Sequence, residues 1–360
     1  MPDQTMQQFT FVAAHTFEWR EVETPKLAGA GEAIVRPLAV SRCDLDFYIA
    51  TGAVPMRADP FALGHEIAGE VVEIGEDVMS VVPGDRVIVP FQINCGSCRM
   101  CLRGLTNACL SVPAYSAYGL AQSSGREWGG GLSDYVSVPF ADAMLVKIPT
   151  DLSVAVAATL TDNVADGYRT VAAPLKALPG ANVLVVGGLA QSIGLYAVQA
   201  ARALGAGRLV YTDFDDTRLA KAKDLGAEVV KMSYEMAPPL PEQVPVTVDA
   251  SNLPTGLIFA LRSTEACGHC TGVASPANLM DGLPLRDMYM KGITYDVSRV
   301  HARAELDAVL EHTCSGCLVP ADIITKTVPF AEAGSAIECP DRSEERRVGK
   351  GCRARAARSP

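Results

Sequence analysis

The sequence predicts an α/β fold in which a β-rich first half is followed by a doubly wound parallel sheet. Three observations carry that prediction. Residues 1–150 hold short alternating apolar and polar segments punctuated by turn signals such as Pro83-Gly84-Asp85. From about Pro179 onward, buried-type strands alternate with helical stretches at the spacing of a parallel sheet. The length, 360 residues, suits two domains with a core each.

In the first half, residues 32–36 (Glu-Ala-Ile-Val-Arg), 67–74 and 86–90 read as short antiparallel strands. In the second half, Val183-Leu-Val-Val186 is a continuous apolar strand that runs into a Gly-rich turn. A helix is expected over 193–204, a strand over 208–213, a helix over 217–225 and a strand over 228–231. No repeat of 20–50 residues is present.

Composition narrows the function classes. Hydrophobic residues make up 49% and charged residues 20%, which excludes a disordered chain. Asp and Glu outnumber Lys and Arg 41 to 31, giving a net charge of −10, so no nucleic-acid partner is expected. No apolar run is long enough to span a bilayer, and residues 1–10 lack a secretory pattern. A cytoplasmic protein without a membrane partner is the expectation. Eleven cysteines in such a chain ask for metal rather than disulfides.

Four of them form C-x2-C-x2-C-x7-C: Cys95, Cys98, Cys101 and Cys109. Four thiolates at this spacing surround one tetrahedral Zn²⁺ and leave no position for substrate. An iron–sulfur cluster and free surface thiols are the competing readings. Gly96 and Gly104 permit the tight turns of such a knuckle. Two further pairs, Cys267/Cys270 and Cys314/Cys317, lack third and fourth ligands and are read as incidental.

A second candidate site begins at Ser41-Arg-Cys43-Asp-Leu-Asp46 and continues at Gly64-His65-Glu66. Taken alone, a Cys and a His about twenty residues apart are weak evidence of a ligand pair. Placed upstream of the four-cysteine lobe they gain weight, and here the chain resembles the zinc-dependent medium-chain alcohol dehydrogenases from about Glu18 to Ala336. The resemblance implies a GroES-like β-rich catalytic domain plus a Rossmann nucleotide-binding domain. It implies one catalytic and one structural Zn²⁺, and catalytic ligands Cys43, His65 and a third residue six before a Tyr. In Thr161-Asp162-Asn-Val-Ala-Asp166-Gly-Tyr168-Arg169 that position is Asp162, for which a plain helix cap is the alternative. Glu66 is read as a supporting or exchangeable ligand, and Asp46 as the group that orients the ligands.

Gly187-Gly188-Leu-Ala-Gln-Ser192-Ile193-Gly194 places backbone N–H groups and a helix N-terminus against a pyrophosphate, although the loop is two residues longer than G-x-G-x-x-G. Asp213, after the second strand, suits the adenosine ribose hydroxyls and would repel a 2′-phosphate, which favours NAD over NADP. Arg218 matches a family position at the same ribose, with a helix-surface arginine as the alternative.

The resemblance further implies hydride transfer from a small alcohol, or the reverse to an aldehyde, with the substrate in the cleft between the domains. The family's usual proton relay begins two residues after the Cys ligand and ends three later; here those positions are Leu45 and Tyr48. Leu45 carries no proton, so Tyr48, Glu66 or water is expected to substitute. His301 and Trp128 are weaker pocket candidates. A homodimer or homotetramer is expected by analogy. The rival readings are a non-catalytic zinc and nucleotide-binding protein and a zinc-independent quinone-reductase-like enzyme.

These readings divide the chain into a catalytic domain (1–150, with the lobe at 95–109), a nucleotide domain (151–290) and a truncated return to the catalytic domain (291–341). A tail over 342–360 carries seven basic residues against two acidic ones. Residues 342–350 resemble the translation of a sequencing adapter, so the tail is expected to be non-native.

Overall fold

The computed structural model describes residues 4–54, 60–120, 128–235, 237–273 and 282–338, together with the backbone of 345–349. The remainder of the expected non-native tail, 342–344 and 350–360, lies outside the described residues. Contacts divide the chain into two units, the first holding residues 1–161 and 324–340 and the second 162–323.

The first unit opens with a hairpin, β1 (Thr5–Ala13) and β2 (Thr16–Glu23), in which Phe9 and Phe17 stack. The longest strand, β3 (Ala33–Arg42), ends directly before Cys43 and the short helix α1 (Asp44–Ala50). The two-residue β4 (Phe61–Ala62) pairs with β1, and β5 (Glu66–Ile74) pairs antiparallel with β3. Pro37 interrupts the β3–β5 register opposite Gly69, as expected of a proline confined to a bulge. β6 (Arg86–Val89), β7 (Val136–Val138), α2 (Ala141–Met144), β8 (Val146–Lys147) and α3 (Val154–Thr159) close the unit's core. Ile67, Val71, Val87, Val89 and Tyr118 are buried together there. The sequence placed β3, β5 and β6 correctly but began β3 one residue early and ended it six early.

The second unit starts with α4 (Asn163–Ala177) and then alternates strictly: β9 (Val183–Val186), α5 (Gln191–Ala203), β10 (Leu209–Asp213), α6 (Asp216–Asp224) and β11 (Glu228–Lys231). There follow β12 (Val244–Asp249), α7 (Pro254–Ser263), β13 (Thr264–Gly272), α8 (Leu285–Lys291), β14 (Thr294–Val297) and α9 (Ala302–Cys314). Among the described residues these strands form a six-stranded all-parallel sheet in the order β11-β10-β9-β12-β13-β14. Val183 to Val186 are wholly buried, as a central strand covered on both faces must be.

One expected boundary is corrected. Residues 291–323, read as a return to the catalytic domain, belong to the second unit: β14 extends the parallel sheet and α9 packs on α4. The chain re-enters the first unit only at β15 (Ile324–Pro329), followed by α10 (Ala333–Ile337), whose Ala333, Ala336 and Ile337 pack with Phe9 and Phe11. Within the expected tail, β16 (Glu345–Gly349) runs as backbone between β15 and β3. No helix among the described residues is long and apolar enough to cross a membrane.

Phe259 on α7, only 1% exposed, anchors the cluster of Val186, Val210, Leu257 and Leu261. Phe259→Ala is expected to destabilise the nucleotide unit by about 3–5 kcal/mol, read as a lower urea midpoint of its unfolding transition.

Candidate metal centres and nucleotide site

Two groups of side chains bring metal-ligating atoms within 4.8 Å of one another: Cys95, Cys98, Cys101 and Cys109, and Cys43, His65, Glu66 and Asp162. Both sets coincide with the ligands named from sequence.

In the four-cysteine lobe, main-chain N–H groups converge on sulfur. Cys98 donates to Cys95 Sγ at 3.3 Å, and Leu110 donates to Cys98 Sγ at 3.4 Å. Cys95 and Ser111 both donate to Cys109 Sγ at 3.4 Å, while the Ser111 hydroxyl donates to Cys95 Sγ at 3.1 Å. N–H groups aimed at sulfur favour thiolate, the form a metal needs, although at Cys101 and Cys109 burial outweighs them and pushes the thiols up. Burial opposes ionisation of Cys95, yet the bonds from Ser111, Ser97 and Cys98 bring its thiol down to about 5. Gly96 and Gly104, at φ of 70° and 78°, make the turns expected of them. A Cβ on Gly96 would come within 2.6 Å of the Ala143 methyl. Four thiols in one closed knuckle fit a tetrahedral zinc.

The second group is built on buried turns. Cys43 caps α1 and its Sγ accepts the Leu45 N–H at 3.3 Å. Asp46, 3% exposed, reaches two ways: Oδ2 accepts the Cys43 N–H at 3.0 Å, and Oδ1 lies 3.3 Å from His65 Nδ1. With Nδ1 at ion-pair distance from Asp46, Nε2 is the nitrogen left to face a metal. His65 itself follows Gly64, whose φ of 92° turns the chain between β4 and β5. Another chain segment crosses at contact distance, since a Cβ on Gly119 would stand 2.3 Å from the Gly64 carbonyl carbon. His65 and Glu66 are fully buried. Asp162 stands at the N-cap position of α4, but its side chain accepts no capping bond. The plain-cap alternative therefore has no hydrogen bond behind it. A thiolate, imidazole and carboxylate set, buried except for the partly exposed Asp162, fits zinc, which takes S, N and O donors.

Tyr48 lies farther along α1, half-buried with its ring edge-on to Phe47, and the Leu45 side chain is exposed. Trp128 packs against the first unit's core, and His301 precedes α9. Cys270 is buried in β13, whereas Cys267, Cys314 and Cys317 are exposed; none joins either donor group.

At the nucleotide site, β9 leads into Gly187 and Gly188 and then α5. Both glycines are sterically required. A Cβ on Gly187 would sit 2.2 Å from the Tyr211 hydroxyl, and one on Gly188, at φ 156°, would sit 2.7 Å from the Ser251 carbonyl oxygen. Gly194, one turn into α5, approaches Ala250 closely, and Ile193 beside it is half-buried. No side chain caps α5, and the buried Ser192 hydroxyl near its N-terminus has no hydrogen-bond partner. An uncapped helix start with an unsatisfied hydroxyl and a glycine cradle fits a pyrophosphate.

Asp213 ends β10, wholly buried and heavily engaged. Oδ1 accepts from the N–H groups of Phe214 and Asp215 and from Arg218 Nη2, and Oδ2 accepts from Arg218 Nε and the Tyr211 hydroxyl. Arg218 is therefore a buried bidentate partner of Asp213 rather than a helix-surface arginine. Sequence reasoning missed Tyr211 and Gly119. Tyr211 was legible, because residues two apart on a strand share a face and Asp213 was already in hand. Gly119 carried no local signal, since its need arises from a crossing of distant segments.

Comparison with known proteins places these features in a family. Residues 29–150 match the alcohol dehydrogenase GroES-like domain, and residues 192–314 match the zinc-binding dehydrogenase domain. The chain is 38% identical over 223 residues to a glutathione-independent formaldehyde dehydrogenase of Pseudomonas aeruginosa, covering 59% of this chain and 53% of that one. It is 29% identical over 331 residues to an S-(hydroxymethyl)glutathione dehydrogenase of Synechocystis sp., covering 86% and 89%. The alcohol dehydrogenase from Thermus sp. ATN1 superposes with a TM-score of 0.85 at 28% identity, covering 96% of this chain and 100% of that one. The chain belongs to the zinc-dependent medium-chain dehydrogenase/reductase family. It spans about half the length of the formaldehyde dehydrogenase of Pseudomonas it matches.

Metal analysis checks both centres. The wild-type chain is expected to hold two zinc equivalents, with Cys101→Ser and Cys43→Ser each losing one. Cys101→Ser should lower Tm more, because the lobe's backbone is organised around its sulfurs.

Proposed function

We propose that the chain is an NAD-dependent zinc oxidoreductase moving a hydride between a small alcohol, polyol or aldehyde hydrate and the nicotinamide ring. The convergence of Cys43, His65, Glu66 and Asp162 carries this reading. Gathering a thiol, an imidazole and two carboxylates, three of the four groups buried, is costly for a fold and is explained by a cation at their centre. A bound zinc supplies Lewis acidity that lowers the pKa of a substrate hydroxyl.

The chain's own groups have separable tasks. Asp46 accepts the Cys43 N–H and stands at ion-pair distance from His65, where it is assigned the orientation of that ring. Four protein donors would fill a tetrahedral shell, so one must yield to substrate, and Glu66, read as the exchangeable ligand, is assigned that part. Leu45 offers only its N–H, so Tyr48 is assigned the release of the substrate proton toward solvent. Gly187, Gly188, Ser192, Ile193 and Gly194 take the pyrophosphate. Arg218, bound twice to Asp213, is already committed rather than available to a 2′-phosphate, which supports NAD over NADP.

The formaldehyde and hydroxymethylglutathione dehydrogenases among the relatives support hydrated small aldehydes as the first substrates to try. A homo-oligomer is supported by the edge position of β14 and by exposed Leu285, Tyr289, Met290 and Val297 beside it. The cytoplasmic placement rests on the sequence.

Zinc-loaded protein with NAD and a panel of alcohols, polyols and formaldehyde tests the reading. Growth of NADH absorbance with at least one substrate is expected, and weaker growth with NADP. Two bound zincs with no turnover under either cofactor would leave a binding protein. Tyr48→Phe is expected to lower turnover by about a hundredfold near neutral pH. That loss should shrink as pH rises, because hydroxide then takes the proton directly.

A further inference from the structure

Asp166 and Arg169 stand on α4 one and two turns after Asp162, and the Asp166 N–H donates to the Asp162 carbonyl at 2.7 Å. Their side chains are each 8% exposed and paired, with Arg169 Nε donating to Asp166 Oδ1. The other arm of the guanidinium points elsewhere. Arg169 Nη2 donates to the Gly272 carbonyl at 3.2 Å and to the Ser298 carbonyl at 2.7 Å. Gly272 is the last residue of β13, and Ser298 directly follows β14. One buried cation thus ties the N-terminal turns of α4 to the carboxyl ends of two adjacent strands.

Those two ends matter in this topology. Ligands of doubly wound sheets sit outside the carboxyl ends of the strands, and the two halves of a dinucleotide divide between the two halves of the sheet. Gly187, Gly188 and Asp213, at the ends of β9 and β10, occupy the adenosine half. The ends of β12, β13 and β14 remain for the nicotinamide half. A guanidinium buried on two neutral carbonyls requires a compensating carboxylate, which Asp166 supplies. Burial opposes ionisation of the Asp166 carboxyl, and the bonded Arg169 guanidinium favours its charged form.

We propose that Asp166 and Arg169 form a positioning pair for the nicotinamide half of the cofactor. Arg169 fixes the spacing of the β13 and β14 ends, Asp166 holds Arg169 there, and neither touches the cofactor. The inference rests on the dinucleotide-dependent reading above and adds residues that reading does not use.

Dissociation constants for NADH and for ADP-ribose, which lacks the nicotinamide ring, separate this role from general support of the fold. Arg169→Gln and the isosteric Asp166→Asn are each expected to raise the NADH constant by about tenfold. The ADP-ribose constant should stay within about twofold of wild type, which also reports an intact nucleotide unit. If Arg169→Gln does not fold, Asp166→Asn and Arg169→Lys carry the test. Lysine keeps the charge without the fork and should weaken NADH alone, by less. Parallel weakening of both ligands, or no change in either, overturns the proposal while leaving the dehydrogenase reading intact. A wild-type chain that binds neither ligand overturns both.

Discussion

The carboxylate of Asp46 is the constraint from which the metal centre follows. It is buried, with one oxygen hydrogen-bonded to the Cys43 N–H and the other 3.3 Å from His65 Nδ1. A carboxylate desolvated this far needs compensation, and here the Cys43 N–H donates to it while the His65 ring stands at ion-pair distance, the two residues whose geometry a metal would read. Cys43 is placed because β3 ends beside it, and His65 because Gly64 turns the chain into β5. Neither strand alone would fix both ligands. Through Asp46, the helix that follows Cys43 does so.

The same economy recurs at the nucleotide site. Tyr211 lies beneath Gly187, donates to Asp213 and is itself fully buried, so the glycine turn, the strand and the acidic residue form one packed unit. Arg218 completes it, holding Asp213 by two bonds while its guanidinium lies 5.2 Å from the Phe214 ring centre. A loop shaped by such close contacts tolerates no Cβ, which is a stronger statement than the presence of glycines in the sequence. The steric need is visible only once the strands are paired.

Much of this was legible in the residues themselves. Val183 to Val186 announced a central strand because four consecutive β-branched or leucine side chains suit burial on both faces. The cysteine spacing announced a closed zinc site, and the N–H to sulfur bonds of Leu110 and Ser111 accord with it. Legibility failed where long-range packing decides. Residues 291–323 carry no local signal distinguishing another sheet strand from a return to the first unit, and only the pairing of β14 with β13 settles it. Asp162 needed the family pattern, since an aspartate before a helix reads first as a cap. The absence of a capping bond is a structural fact that no sequence spacing contains.

Zinc X-ray absorption on the Cys101→Ser variant, whose lobe is emptied, bears most directly on the buried centre. A zinc held by Cys43, His65 and Asp162 should show one sulfur neighbour at about 2.3 Å and its remaining neighbours as nitrogen or oxygen near 2.0–2.2 Å. A variant that retains zinc with several sulfur neighbours, or that retains none, would contradict a metal centre built around Asp46.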